Sequence, residues 1–110
     1  MKTTLHSLVH IGGRTQVDAH DVAYFEASSN YTVVHLHTKE RLMVATTLGI
    51  IETRLSSFGF FIRANHGFLV NARFVKSFNM EHILLENSVN IVISRRKKQR
   101  VFEALSGLIE

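Results

Sequence analysis

Cysteine and proline are both missing from this 110-residue chain, and each absence excludes a class of explanation. Without cysteine there is no disulfide framework, no thiolate metal site and no thiol redox chemistry, a composition that suits a reducing cytoplasm. Without proline the commonest punctuation of interdomain linkers is gone, and no internal repeat or low-complexity tract stands in for it. Long apolar runs are absent too. Nothing approaches the roughly 18 to 20 consecutive apolar residues of a membrane span, and the start, Met1-Lys2-Thr3-Thr4-Leu5, lacks the apolar core of a signal peptide. The expected protein is a single soluble domain over residues 1–110, located in the cytoplasm and without a membrane partner.

Catalytic signatures are equally scarce. There is no Gly-rich phosphate loop, no nucleophile elbow and no spaced carboxylate pair beside an apolar pocket. Glu26 falls in a strand pattern and Glu52 on a helix face, where hydrogen-bonding or surface roles suffice. Neither enzyme activity nor a small-molecule substrate is expected. Seven histidines invite a metal, and His35-Leu36-His37 has the i, i+2 spacing that puts both rings on one face of a strand. A site needs at least one further ligand, and His6, His10, His20 and His82 are scattered among unrelated segments. The histidines are expected to be surface or cross-strand residues, with no metal or cofactor.

What is present points to a mainly β fold. A hydrophobic fraction of 45% with eight Phe and two Tyr is enough for one small core. Val22 to Ala27, Thr32 to His37 and Val89 to Ile93 alternate in the period of two that marks half-buried strands, with Val89, Ile91 and Ile93 on one side. Shorter apolar runs at Leu5 to Ile11, Arg41 to Val44, Phe60 to Arg63, Phe68 to Val70, Phe74 to Phe78 and His82 to Leu85 have strand length. Two segments break the pattern. Leu48, Ile51 and Leu55 recur at helical spacing behind Thr47 as N-cap, with Gly59 as a stop signal. A second helix is predicted from about Arg95, with Ser94 as cap and an apolar stripe of Val101, Phe102, Leu105, Leu108 and Ile109.

Three polar segments interrupt this scaffold. The first is the basic run Arg95-Arg96-Lys97-Lys98-Gln99-Arg100. Residues 95–110 hold 5 basic and 2 acidic groups, against 8 and 7 in residues 1–94, so most of the net charge of +4 lies here. Cations at a helix start are disfavoured by roughly a few tenths of a kcal/mol each, so folding alone does not ask for them. Phosphates do: Arg95, Arg96, Lys98 and Arg100 can surround an anion at a helix start. A solvated face that aids solubility is the plainer alternative.

The second segment is the kink Arg63-Ala64-Asn65-His66-Gly67 between two apolar runs, where Gly67 is expected to let the backbone turn sharply. Arg can grip guanine or phosphate, Asn can pair with the edge of adenine, and His can donate or accept. An ordinary hairpin loop is the alternative. The third is Ser28-Ser29-Asn30-Tyr31, a turn in which Asn30 can take a positive φ and Tyr31 offers a ring with a hydroxyl tip. All three can share one rim of a β scaffold, where loops held by rigid strands commonly bind.

Taken in order, Val22-Ala23-Tyr24-Phe25-Glu26-Ala27 with Asn30-Tyr31-Thr32, Thr47-Leu48, Phe61-Ile62-Arg63 with Gly67-Phe68-Leu69-Val70-Asn71, and Ile93-Ser94-Arg95-Arg96 resemble the LytTR family of bacterial transcription regulators. The match spans nearly the whole chain. The resemblance implies an elongated, mostly β fold of about ten short strands with one or two short helices, in which loops enter DNA grooves in place of a recognition helix. By position it puts base contacts on Asn30, His66 and Arg96, with Tyr31, Asn65, Arg63 and Arg95 as phosphate or supporting contacts. The implied partner is double-stranded DNA carrying repeated half-sites, bound by two copies of the domain. The family usually has His at the position of Asn65 and Ser or similar at that of Gly67, so base preference does not carry over. Many relatives attach this module to a phosphoacceptor receiver of two-component systems, and none is expected within these 110 residues. A protein-interaction module that titrates or inhibits another regulator is the alternative function.

Overall fold

The computed structural model describes residues 7–109, which hold ten β-strands and two α-helices. The strands are β1 (Leu8–Gly12), β2 (Thr15–Asp18), β3 (Val22–Ser28), β4 (Tyr31–Leu36), β5 (Arg41–Val44), β6 (Phe61–Asn65), β7 (Phe68–Asn71), β8 (Val75–Phe78), β9 (His82–Leu85) and β10 (Asn90–Val92). The helices are α1 (Leu48–Arg54) and α2 (Lys98–Leu108). A five-stranded sheet in the order β5-β4-β3-β7-β6 forms the centre, with a β1-β2 hairpin and a three-stranded β10-β9-β8 sheet beside it. The extents of 37 × 33 × 25 Å elongate the molecule by about half its shortest dimension. No described helix is long and apolar enough to cross a membrane.

The central sheet is covered on both faces, which explains why Val22 to Phe25 are buried without a break. On one face the β1-β2 hairpin and α1 bring Ile11, Val17, Leu48, Ile51 and Leu55 against Phe25, Val34 and Leu69. On the other, α2 and the three-stranded sheet bring Ile83, Leu85, Ile91, Ile93, Val101 and Leu105 against Tyr24, Ile62 and Val70. A register shift between Val22 and Tyr24 in the β3-β4 pair has the character of a β-bulge, and it lets Val22 and Phe25, three residues apart, reach the same cluster. The helical spacing of Leu48, Ile51 and Leu55 buries all three, at 3%, 0% and 1% exposure. In α2 the apolar stripe is narrower than its sequence suggests: Val101 and Leu105 are buried, while Leu108 stays exposed.

Several boundaries differ from the sequence pattern. Strand β1 begins at Leu8; Leu5 and His6 lie outside the described residues. Strand β2 had no apolar signal, since only Val17 of its four residues is buried. The Phe74 to Phe78 run starts as a strand only at Val75, because Asn71 accepts from the Arg73 N–H and winds Ala72–Phe74 into a 3-10 turn. Asn71 is completely buried and also donates to the Val22 carbonyl at 2.8 Å, so its amide fastens β7 to the start of β3. Strand β4 ends at Leu36, which leaves His37 in the following turn, stacked on Phe74. His35 stacks on Tyr24 and bonds Glu26, so the two histidines serve separate contacts.

Candidate nucleic-acid interface

The three polar segments meet along one edge of the central sheet, and hydrogen bonds fix their order. The β3-β4 turn is closed by the Ser28–Tyr31 pair. One residue back, the Ala27 N–H donates to the Gly67 carbonyl at 2.8 Å, which sets the β6-β7 turn beside it. The Ser94 N–H donates to the Ala64 carbonyl at 2.9 Å, and the Asn65 side-chain amide donates to the Val92 carbonyl at 2.6 Å. The basic segment is therefore stitched to the far flank of the same turn.

The nine sequence-predicted residues divide into two groups, with Lys98 between them. Arg63 and Asn65 point their polar atoms inward. The Arg63 guanidinium donates to the Asn65 carbonyl at 2.9 Å, to the His66 carbonyl at 2.7 Å and to Glu52 on α1 at 2.6 Å. Asn65 uses its amide nitrogen on Val92 and its oxygen on the Gly67 N–H at 2.7 Å. Both residues hold the turn in shape. Asn30, Tyr31, His66, Arg95, Arg96 and Arg100 are exposed, and their side chains make no hydrogen bond or ion pair with other described residues. Lys98 is half-buried and lies 3.6 Å from Glu81.

Two local conformations differ from expectation. In the β3-β4 turn the positive φ, 58°, belongs to Ser29 and not to Asn30. Gly67 is not among the residues of positive φ, and a Cβ added there would meet only the Asn65 side-chain oxygen at 3.6 Å. The sharpness of that turn comes instead from a register shift between Arg63 and Asn65 and from the Asn65 side-chain bond to the Gly67 N–H. The basic segment also begins differently: Arg95–Lys97 form a 3-10 turn, Ser94 makes no side-chain cap, and α2 starts at Lys98.

Sequence reasoning missed one segment of this edge, the loop of residues 45–47 after β5. Thr32 is fully buried, and its hydroxyl donates to the Thr46 carbonyl at 2.6 Å, which brings that loop level with the β3-β4 turn. A threonine on the apolar side of a strand pattern is a weak signal of such a bond, but its partner fourteen residues on has no local mark. The nearby carboxylates are all paired: Glu52 with Arg63, Glu26 with His35 and Glu81 with Lys98. Glu52 and Glu81 are thus matched by cations, whereas Glu26 is held by the His35 ring. Among the described residues no three His, Cys, Asp or Glu side chains group as a metal site.

A β scaffold that offers polar turns and a cationic helix start along one edge has the form of a nucleic-acid-binding domain that works through loops. The chain belongs to the LytTR family: the family model of the LytTr DNA-binding domain matches residues 12–106. One similar solved structure is the LytTr DNA-binding domain of a Bacillus cereus protein described as a methyl-accepting/DNA response regulator. It is 22% identical, with a TM-score of 0.70 over 92% of this chain and 97% of that one, a likeness of fold. A search of curated proteins returned no match. The family is a DNA-binding one, not a catalytic one.

Proposed function

We propose that this domain regulates transcription by binding duplex DNA sequence-specifically, with Asn30, His66 and Arg96 reading base edges in major grooves. Arg95, Lys98 and Arg100 contact phosphates, Tyr31 packs against the backbone beside them, and Arg63 and Asn65 hold the central turn in its reading position. Two copies occupy repeated half-sites. The observation that carries this reading is the continuous run of backbone bonds, Ala27 to Gly67 and Ser94 to Ala64, which gives three distant polar segments one common edge. Arg suits the paired acceptors of guanine, and Asn and His can satisfy mixed donor and acceptor edges.

The test is selection of bound sequences from random duplexes at moderate salt. A motif of defined length, repeated at a fixed spacing, is expected. Arg96→Ala should weaken specific binding by about 1 to 3 kcal/mol and blur one position of the motif, whereas Lys98→Ala should weaken all sequences alike. Absence of any enriched sequence would end the specific-readout reading.

A further inference from the structure

The exposed turn between β1 and β2 contains a cation that the sequence pattern does not mark, Arg14. Its place in the fold is set by Gly12. A Cβ at Gly12 would come 2.6 Å from the Thr46 hydroxyl and 3.0 Å from the Val44 Cβ, so the end of β1 is pressed against the end of β5. Val44 pairs with Thr32, two residues from Asn30. The β1-β2 turn therefore reaches the same sheet edge as the three polar segments, at its opposite extreme from the basic run.

The turn is also braced. Arg54 on α1 donates to the His10 carbonyl at 3.1 Å and approaches His10 Nδ1 at 3.3 Å. With Nδ1 accepting, the proton sits on Nε2, which donates to the Gly13 carbonyl at 2.5 Å. Gly13 takes φ of 53° and a Cβ there would meet nothing within 4 Å, so the turn stands clear of the body. Arg14 itself has no hydrogen bond or ion pair with any described residue.

We infer that Arg14 is a second anchor for a DNA backbone phosphate, placed at the end of the interface opposite Arg95 and Arg96. The inference rests on the duplex-DNA reading above. Four strand spacings of about 4.8 Å separate β5 from β6, and the basic segment lies one bonded chain further. The two cationic ends are then roughly 24 Å apart, most of one turn of B-DNA at about 34 Å. Asn30 and His66 fall between them, so phosphate contacts at both ends would hold the reading turns square to the groove.

The experiment uses the whole chain and the duplex recovered by selection, titrated at a series of salt concentrations, with phosphate-ethylation interference on the same duplex. Arg14→Ala is expected to weaken binding about three- to tenfold, to reduce the salt slope by about one counterion, and to leave the preferred sequence unchanged. Interference should vanish at one flanking phosphate, on the side away from those lost with Arg95→Ala. Arg14→Lys, which keeps the charge, should restore most of the affinity. Thermal melting of each variant should match the parent, because the side chain has no partner to lose. Specific binding by the parent chain with Arg14→Ala unchanged in affinity and slope would overturn the second anchor alone. A parent chain that binds no duplex would overturn the DNA reading and this inference together.

Discussion

Asn65 and His66 are neighbours on one kink, yet their side chains belong to different tasks. Asn65 closes two internal bonds, to Val92 and Gly67, and typical intramolecular hydrogen bonds contribute about 0.5–1.5 kcal/mol each, more when a group is left unsatisfied. Asn65→Ala should therefore lower unfolding stability by about 1–3 kcal/mol and weaken DNA binding without altering which bases are preferred. His66→Ala should leave stability within about 0.5 kcal/mol while changing the selected motif. Denaturant melts paired with random-duplex selection separate the two cases. Asp18 supplies a pH dependence at the same scale. Burial raises its pKa, but hydrogen bonds from the His20 N–H, Ser7 and the His20 ring outweigh it, so the carboxyl sits below the usual 3.8. A folded pKa that is depressed stabilises the fold above the unfolded value and loses that stabilisation as pH falls through the folded one. Asp18→Asn, which keeps an acceptor for the His20 N–H but cannot titrate, should flatten the acid limb of a stability-versus-pH curve measured from neutral pH to below 3.8.

Elements with a strong apolar period were legible in the sequence, and those defined by polar contacts were not. The β-branched and aromatic run of Val22 to Ala27 and the spacing of Leu48, Ile51 and Leu55 name β3 and α1, because apolar burial, on both faces of β3 and on one face of α1, is what makes them. Strand β2 has a single buried residue, and the 3-10 turn before β8 depends on one side-chain bond from Asn71, so neither leaves a periodic trace. The start of α2 was misread for an electrostatic reason. Ser94 offers no side-chain cap, Lys97 occupies the N-cap position, and the three residues before α2 are all cationic, at the helix end where positive charge is unfavourable. That unfavourable start persists where phosphates are proposed to dock. Lys97→Ser, which installs a capping hydroxyl and removes a charge, should raise stability by about 0.5–1 kcal/mol and at the same time weaken DNA binding. Thermal melts and duplex titrations on the same sample would reveal the opposed signs, and a gain in both would show that the cations serve some other purpose.

Neighbourhood in the whole molecule is the level at which sequence reasoning had least to work with. That β3 pairs with β7 as well as with its hairpin neighbour β4 rests on pairings more than forty residues apart in the chain, such as Tyr24 with Val70, which leave no local mark. Long-range ties also decide the electrostatics, because the Ser94 to Ala64 bond sets Arg95 and Arg96 beside the β6-β7 turn while Glu52 is matched by Arg63 and Glu81 by Lys98. Unpaired exposed cations attract a polyanion without first breaking an internal ion pair, and each phosphate neutralised releases condensed counterions, with log K falling by about 0.9 per phosphate per decade of salt. With Arg14, Arg95, Lys98 and Arg100 on phosphates, as proposed, four such contacts predict a slope of about −3.6, so a fourfold rise in salt should weaken binding by about two orders of magnitude. Titrations of the selected duplex between low and physiological salt would measure that slope. A value near zero would mean that the charged edge does not meet the phosphates, whatever sequence the domain prefers.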